Sequence, residues 1–430
     1  MNVMKILSSS TCMLAVCYFT ICSDKALLLS HAQESNTKTE YLTLEDAVEI
    51  ALNNNPLIKS KKHTMGTYEG RIKQAGLLPN PKILFFTQEI QTNTVGFDQS
   101  QNSVDVIQKL ETGGKRKLRV KVAEKEKKVM EFDLLTTIAD ITAKVKTAYF
   151  NVLTKQDELK FAEETLVIAK SLMSIACERF ESGDIAKIEV LKSKIELSNA
   201  EMRVQDVERR HLNSVKMLQT VMGAPNIVRY NLSPVSTSDT PSLNMDTLNN
   251  LLLNRHPALK ARKKAVDLSL IKITEAKRMA IPDINATIGY KRLTEIDVNT
   301  IQAGIEFPLP IFNRNQGKII EAKAFSFKAK DDVEVVRNQL LLQLNNAFNL
   351  YISTREQVRF FTNSIIPQAE ESLKIASQGF KQGEFDYLEV LDAQRTLANT
   401  RISYLKISNE FFSSITEIEK LVGVKISDIK

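Results

Sequence analysis

Three carboxylates, Glu189, Glu389 and Asp392, stand in nearly duplicate settings. The stretches "FESGDIAKIEVL" (Phe180–Leu191) and "FKQGEFDYLEVL" (Phe380–Leu391) lie 200 residues apart, and each sets an acidic residue shortly after a glycine break. On general grounds such a carboxylate is a solvated charge complementing the positive end of a helix. Other reactive residue types are sparse. His31, His63, His211 and His256 are isolated from one another and from any cysteine, so no transition-metal site is expected. Cys177 is alone outside the amino-terminal segment and has no disulfide partner there, and a small buried role in a helix is expected of it. The Gly-Gly-Lys of "ETGGKRK" lacks the spacing of a phosphate-binding loop. No nucleophile–base constellation is present, so neither an enzyme nor a cofactor is expected.

The elements that must position the carboxylates are long. Only 14 glycines and 11 prolines occur in 430 residues, and the 68 residues between Gly114 and Gly183 contain neither. A continuous helix of that length spans about 100 Å. Leu134, Ile138, Ile141, Val145, Ala148 and Val152 step by four and three, the seam of a coiled coil. After Gly183 a return helix carries Val204, Val207, Leu212, Val215 and Leu218 on its apolar side. Each half therefore predicts a long antiparallel helical hairpin with the glycine at its tip, and Pro367 must kink or break the outgoing helix of the second.

The duplication runs through the chain. "AVEIALNNNPLIKSKK" (Ala47–Lys62) resembles "LNNLLLNRHPALKARKK" (Leu248–Lys264), and "KTAYFNVL" echoes "NNAFNLYI". The expected organisation is a targeting segment over 1–32, a first repeat over 33–230, a polar linker over 231–244 and a second repeat over 245–430. The first repeat holds strands near 82–92 and 103–111 and a hairpin over 115–222. The second holds strands near 283–292 and 300–307 and a hairpin over 317–422. In the latter strands Ile284, Ala286, Ile288 and Tyr290, and Ile301, Ala303, Ile305 and Phe307, alternate with polar or small residues. Such strands suit either a soluble sheet or a membrane-crossing barrel. The amino-terminal apolar run from Ile6 to Cys22 favours export and thereby the second. An open sheet edge is untenable in lipid, and four strands cannot close a ring, so several chains would have to pool them. The net charge of +7 is spread over 58 basic and 51 acidic residues, without the concentrated basic face of a nucleic-acid protein.

These motifs together resemble the TolC family of outer-membrane efflux channels. "YLTLEDAVEIALNNNPLIKSKK" is similar to that family's amino-terminal motif, and "GDIAKIEVLKSK" and "GEFDYLEVLDAQRTLANTR" to its two hairpin-tip motifs. "GLLPNP", "ETGGKRKLR" and "FPLPIFNRNQGKI" resemble the branch serving cobalt-zinc-cadmium efflux. The resemblance implies a mainly α protein with a small β part. Its tandem helical hairpins would form an α-barrel in the periplasm, and four strands per chain would enter a twelve-stranded barrel in the outer membrane of a homotrimer. It implies a passive export duct, for heavy-metal cations or for drugs and other small molecules, working with a periplasmic adaptor protein and an inner-membrane pump. Glu189, Phe380, Phe385, Glu389 and Asp392 would form the periplasmic gate, with carboxylate rings that attract cations and repel anions. Phe385 stands where the family's archetype carries a gate arginine, which leaves the closed state to rely on packing. Gly183, Val190, Leu191, Gly383, Val390 and Leu391 would dock the adaptor, or else only close the local hairpin core. A reading from another class is a secreted coiled-coil structural or adhesive protein whose strands form a soluble subdomain.

Overall fold

The computed structural model describes residues 41–90, 100–225, 231–233 and 242–429. The targeting segment, residues 91–92 of the first expected strand and residues 234–241 of the linker lie outside them. Strand β1 (Tyr41–Leu42) leads into α1 (Leu44–Asn54), α2 (Pro56–Ala75), β2 (Lys82–Gln88), β3 (Gln101–Leu110), α3 (Lys115–Glu181) and α4 (Lys187–Met222). Strand β4 (Asn231–Leu232) precedes α5 (Met245–Arg255), α6 (Pro257–Arg278), β5 (Ile284–Leu293), β6 (Val298–Glu306) and α7 (Gln316–Phe360). A π-helical turn (Phe361–Ile365), α8 (Ile366–Gln382), α9 (Tyr387–Val422) and a 3-10 turn (Ile426–Asp428) complete the chain. No described helix is long and apolar enough to cross a membrane.

Equivalent short helices start in the same way in both repeats. The Asn55 side chain accepts hydrogen bonds from Leu57 N at 2.9 Å and Ile58 N at 3.4 Å, and Pro56 occupies the first helical position. At the matching position His256 Nδ1 accepts from Ala258 N at 3.2 Å, ahead of Pro257. This is the role of the second-repeat histidine. Accepting at Nδ1 fixes the neutral tautomer that carries its proton on Nε2.

The long helices pack as hairpins whose cores follow the coiled-coil seam. Ile141, Val145, Ala148 and Val152 are buried with Ala47, Ala51, Ile58, Leu218 and Met222. Leu248, Leu252, Leu344, Tyr351, Ile418 and Leu421 make the corresponding core of the second repeat. Phe150 stacks on Phe412 with ring centroids 4.2 Å apart, joining the two. One expected core residue is corrected: Leu212 is exposed, because the inward register of α4 runs Val207, His211, Ser214, Leu218 and leaves position 212 one step off. Cys177 is half-buried rather than enclosed.

Four strands form one antiparallel sheet in the order β2-β3-β5-β6, so the two repeats meet at the β3–β5 pair and leave β2 and β6 as free edges. Strand β2 stops at Gln88, short of the expected 92, because Glu89 turns left-handed at φ 58°. The first linker residues also depart from expectation. Asn231–Leu232 pair in parallel with Tyr41–Leu42, and Tyr149 Oη bonds the carbonyls of Leu42 and Ser233, both at 2.9 Å. One asparagine and one leucine ahead of Ser233 and Pro234 give no strand signal, and the partner strand supplies it.

Candidate functional site: an apolar sheet face and a pair of helical tips

The register puts apolar residues of all four strands on one face. Ile83 pairs with Val106 and Phe85 with Val104; Val104 pairs with Tyr290, which pairs with Ile301. This face is bare: Phe85 is 75% and Ile301 81% exposed, with Ile83, Ile288 and Ile305 also exposed. An uncovered apolar face of this extent marks contact with another protein or a membrane. On the opposite face Asp105 is buried against Gly289, accepts a hydrogen bond from the Gln302 amide, and leaves no space for any side chain at position 289. The sheet thus has one face that is apolar on all four strands, an opposite face that is mainly polar but carries the exposed Leu84 and Phe86 of β2, and no partner at either edge among the described residues.

At the far end of the long helices the two tips share one backbone design. Gly183 and Gly383 adopt φ of 84° and 82°, which favours glycine. Asp184 N donates to Arg179 O and Glu384 N to Gly379 O, each at 2.8 Å, closing the helix ends in parallel fashion. The side chains then diverge. Phe380 and Val390 are fully buried and Leu391 nearly so, in a cluster with Leu172, Ala176, Leu373, Tyr387 and Leu397. Val190 is buried as well, whereas Leu191 is exposed. Of the six expected docking residues, Leu191 and the glycine turns therefore offer surface in the single chain, and Val390 and Leu391 close the core between the hairpins.

Phe385, Glu389 and Asp392 line one groove between α8 and α9, of about 500 Å³, together with Glu371 and Ile375. No basic residue among those described lines it. Glu189, on the other tip, is half-buried, and its Oε2 is enclosed without a hydrogen-bond partner among the described residues. Among the described residues no group of histidine, cysteine or carboxylate side chains is placed to hold a metal ion. Tyr387 lies edge-on to Phe380 at 5.7 Å, and burial, reinforced by Glu196, pushes its hydroxyl up to about 12.

Two residues that motif reading passed over tie the tips together. Arg179, at the end of α3, donates from Nη1 to Phe380 O at 2.9 Å, and its guanidinium lies 5.0 Å from the Phe380 ring centroid. Gly379 gives Phe385 its place, since a Cβ there would approach the Phe385 ring to 2.2 Å. Comparing the two copies position by position exposes both: Arg179 answers to Gly379 and Ile185 to Phe385, so the repeats differ where the tips touch. Higher up, Arg401 bridges Glu164 of α3 at 2.8 Å and Glu370 of α8, with its guanidinium 4.7 Å from the Phe161 ring centroid.

The outer membrane efflux protein family matches residues 47–224 and again 248–424, one match per repeat. The chain belongs to this family. It is 29% identical over 386 residues to the cobalt-zinc-cadmium resistance protein CzcC of Cupriavidus metallidurans, a similarity covering 89% of this chain and 90% of that protein. A crystal structure of CusC superposes with a TM-score of 0.76 at 17% identity, covering 92% of this chain and 96% of that one. The open-state MtrE outer membrane channel of Neisseria gonorrhoeae gives 0.72 at 15% identity, with 89% of both chains covered. The protein is accordingly an outer-membrane efflux channel component with a periplasmic helical part, and its work is transport without catalysis.

Proposed function

We propose that the chain is one third of a passive outer-membrane duct that exports heavy-metal cations. The observation that carries this reading is the four-stranded sheet, apolar on one face across all its strands and unpaired at both edges, continued into helical hairpins that end in acidic tips. Three such sheets, edge to edge, close a barrel of twelve strands and satisfy every edge hydrogen bond that lipid would leave unmade. Members of this family work as trimeric channels with periplasmic adaptor proteins and inner-membrane pumps. The cation cargo is supported by the relationship to a cobalt-zinc-cadmium resistance protein and by the carboxylates at the tips.

In this reading Glu389 and Asp392 line the narrowest part of the path, Glu189 adds a ring from the first tip, and Phe385 fills the wall between them. Carboxylate rings hold cations weakly and pass them on, as conduction requires. Phe380, enclosed between the hairpins, holds the closed arrangement through its packing and its carbonyl link to Arg179. An adaptor would engage the exposed Gly183, Leu191 and Gly383, and reach the buried Val190, Val390 and Leu391 only once the tips part. Planar-bilayer recording tests the pore assignment. Glu389→Ala with Asp392→Ala should reduce the preference for cations over anions, and unchanged selectivity would remove both residues from the path.

A further inference from the structure

Buried hydroxyls on the long helices find partners on their own backbones. Ser193 and Ser414, each 1% exposed, donate to Val190 O at 2.9 Å and to Phe411 O at 2.6 Å, one turn back along the same helix. Gln394 of α9 does not. It is 4% exposed, and its Nε2 and Oε1 are both closed to solvent with no hydrogen-bond partner among the described residues. The residues one turn away on either side, Val390, Leu391, Leu397 and Ala398, are all buried and apolar.

This amide sits where the two hairpins meet. Tyr387, Leu391, Gln394, Ala398 and Arg401 recur along α9 at steps of four and three and so share one face. On that face Arg401 bonds Glu164 of α3, and α3 supplies Leu172 and Ala176 to the cluster that holds Tyr387, Leu391 and Leu397. Gln394 is therefore shut between the second hairpin and α3 of the first. The matching residue of the first repeat, Lys194, is exposed. One copy leaves this position in water, and the other encloses a polar group in an apolar seam.

A buried amide that is neither hydrated nor bonded destabilises the packing around it, whereas a leucine in the same space would not. Separation of α9 from α3 relieves that cost, because it readmits water to Gln394 while each hairpin stays intact. The second hairpin has a π-helical turn at Phe361–Ile365 about which to tilt, and Arg179 opposes the movement through its bond to Phe380 O. We infer that Gln394 is a positioning residue for transport. It weakens the packed tips from within and so reduces the work that an opening partner must do. The inference rests on the reading of the tips as the gate and sets Gln394 against the Arg179 clasp.

Hydrogen exchange across both tips of the full chain in detergent reads this balance directly. Gln394→Leu and the unbranched Gln394→Met should each slow exchange there by about tenfold. Both should also reduce single-channel conductance in planar bilayers. A glutamine kept for packing alone predicts the opposite sign, since its replacement would loosen the seam and speed exchange. Unchanged or faster exchange in both variants would overturn the inference. So would conductance that rises in Arg179→Ala but stays at the wild-type level in both Gln394 variants, an outcome that leaves the gate reading standing. Slower exchange with conductance unmoved in all three variants would overturn the gate reading itself, and the transport role of Gln394 with it.

Discussion

The two repeats carry one motif into different surroundings. Phe180 is 41% exposed and its counterpart Phe380 is fully enclosed; Leu191 is 46% exposed and Leu391 only 7%. The outgoing helix of the first repeat runs unbroken for 67 residues, whereas that of the second passes through a π-helical turn directly before Pro367. A π turn absorbs one extra residue and locally loosens the ladder, which is the form the expected proline disturbance takes. Duplication has thus produced a first hairpin whose tip presents surface and a second whose tip supplies the packing. The second hairpin also has the point at which it can bend.

The largest consequence of that difference is at the aromatic pair. Phe380→Ala should cost about 3–5 kcal/mol of local stability through loss of a buried ring. Phe180→Ala should cost well under about 1 kcal/mol, as an exposed position does. Hydrogen exchange at the tips reads both, and equal effects would erase the distinction between the hairpins.

The next contrast is between the caps. Asn55 cannot titrate, but burial, followed by the charge of Lys420, holds His256 down at about 4. Its folded value lies below the unfolded one, so its contribution is complete above about pH 6.5 and is lost as pH falls toward 4. Protonation of Nδ1 also removes the acceptor that Ala258 N–H requires. Up to about 3 kcal/mol is at stake over this window, taking 1.36 kcal/mol per pH unit. Thermal unfolding between pH 7 and pH 4.5 should show the loss in wild type, and His256→Asn should flatten that part of the profile. An unchanged slope would assign the acid sensitivity elsewhere.

Smaller effects separate the residues at which the tips meet. Arg179→Ala removes a charge-assisted bond to a carbonyl and a cation–π contact, about 1–2 kcal/mol together. It should raise single-channel conductance in bilayers by letting the second hairpin part from the first. Gly379→Ala should displace Phe385 and give a milder increase of the same kind, whereas alanine at the matching Arg179 acts only by deletion. Identical conductance in all three proteins would mean that these contacts do not hold the tips closed.

Much of this architecture is legible in the residues. Glycine and proline spacing locates the hairpins, four-three apolar steps locate their seams, and period-two alternation locates the strands and the apolar side of β5 and β6. Divergence between the copies is harder to read. Nothing local to "FESG" and "FKQG" distinguishes an exposed phenylalanine from a buried one, because burial is decided by the other hairpin. The caps at Asn55 and His256 follow from the residue before a proline, but the strand at Asn231–Leu232 exists only because Tyr41–Leu42 lies beside it. The tip link is split between copies, Arg179 on one and the Phe380 carbonyl on the other, so no single motif contains it.

The central claim is that one chain supplies a third of a wall it cannot close. Native mass spectrometry of the protein released from detergent micelles measures this directly. The account predicts a single species with the mass of three chains, and a folded species with the mass of one chain would contradict it.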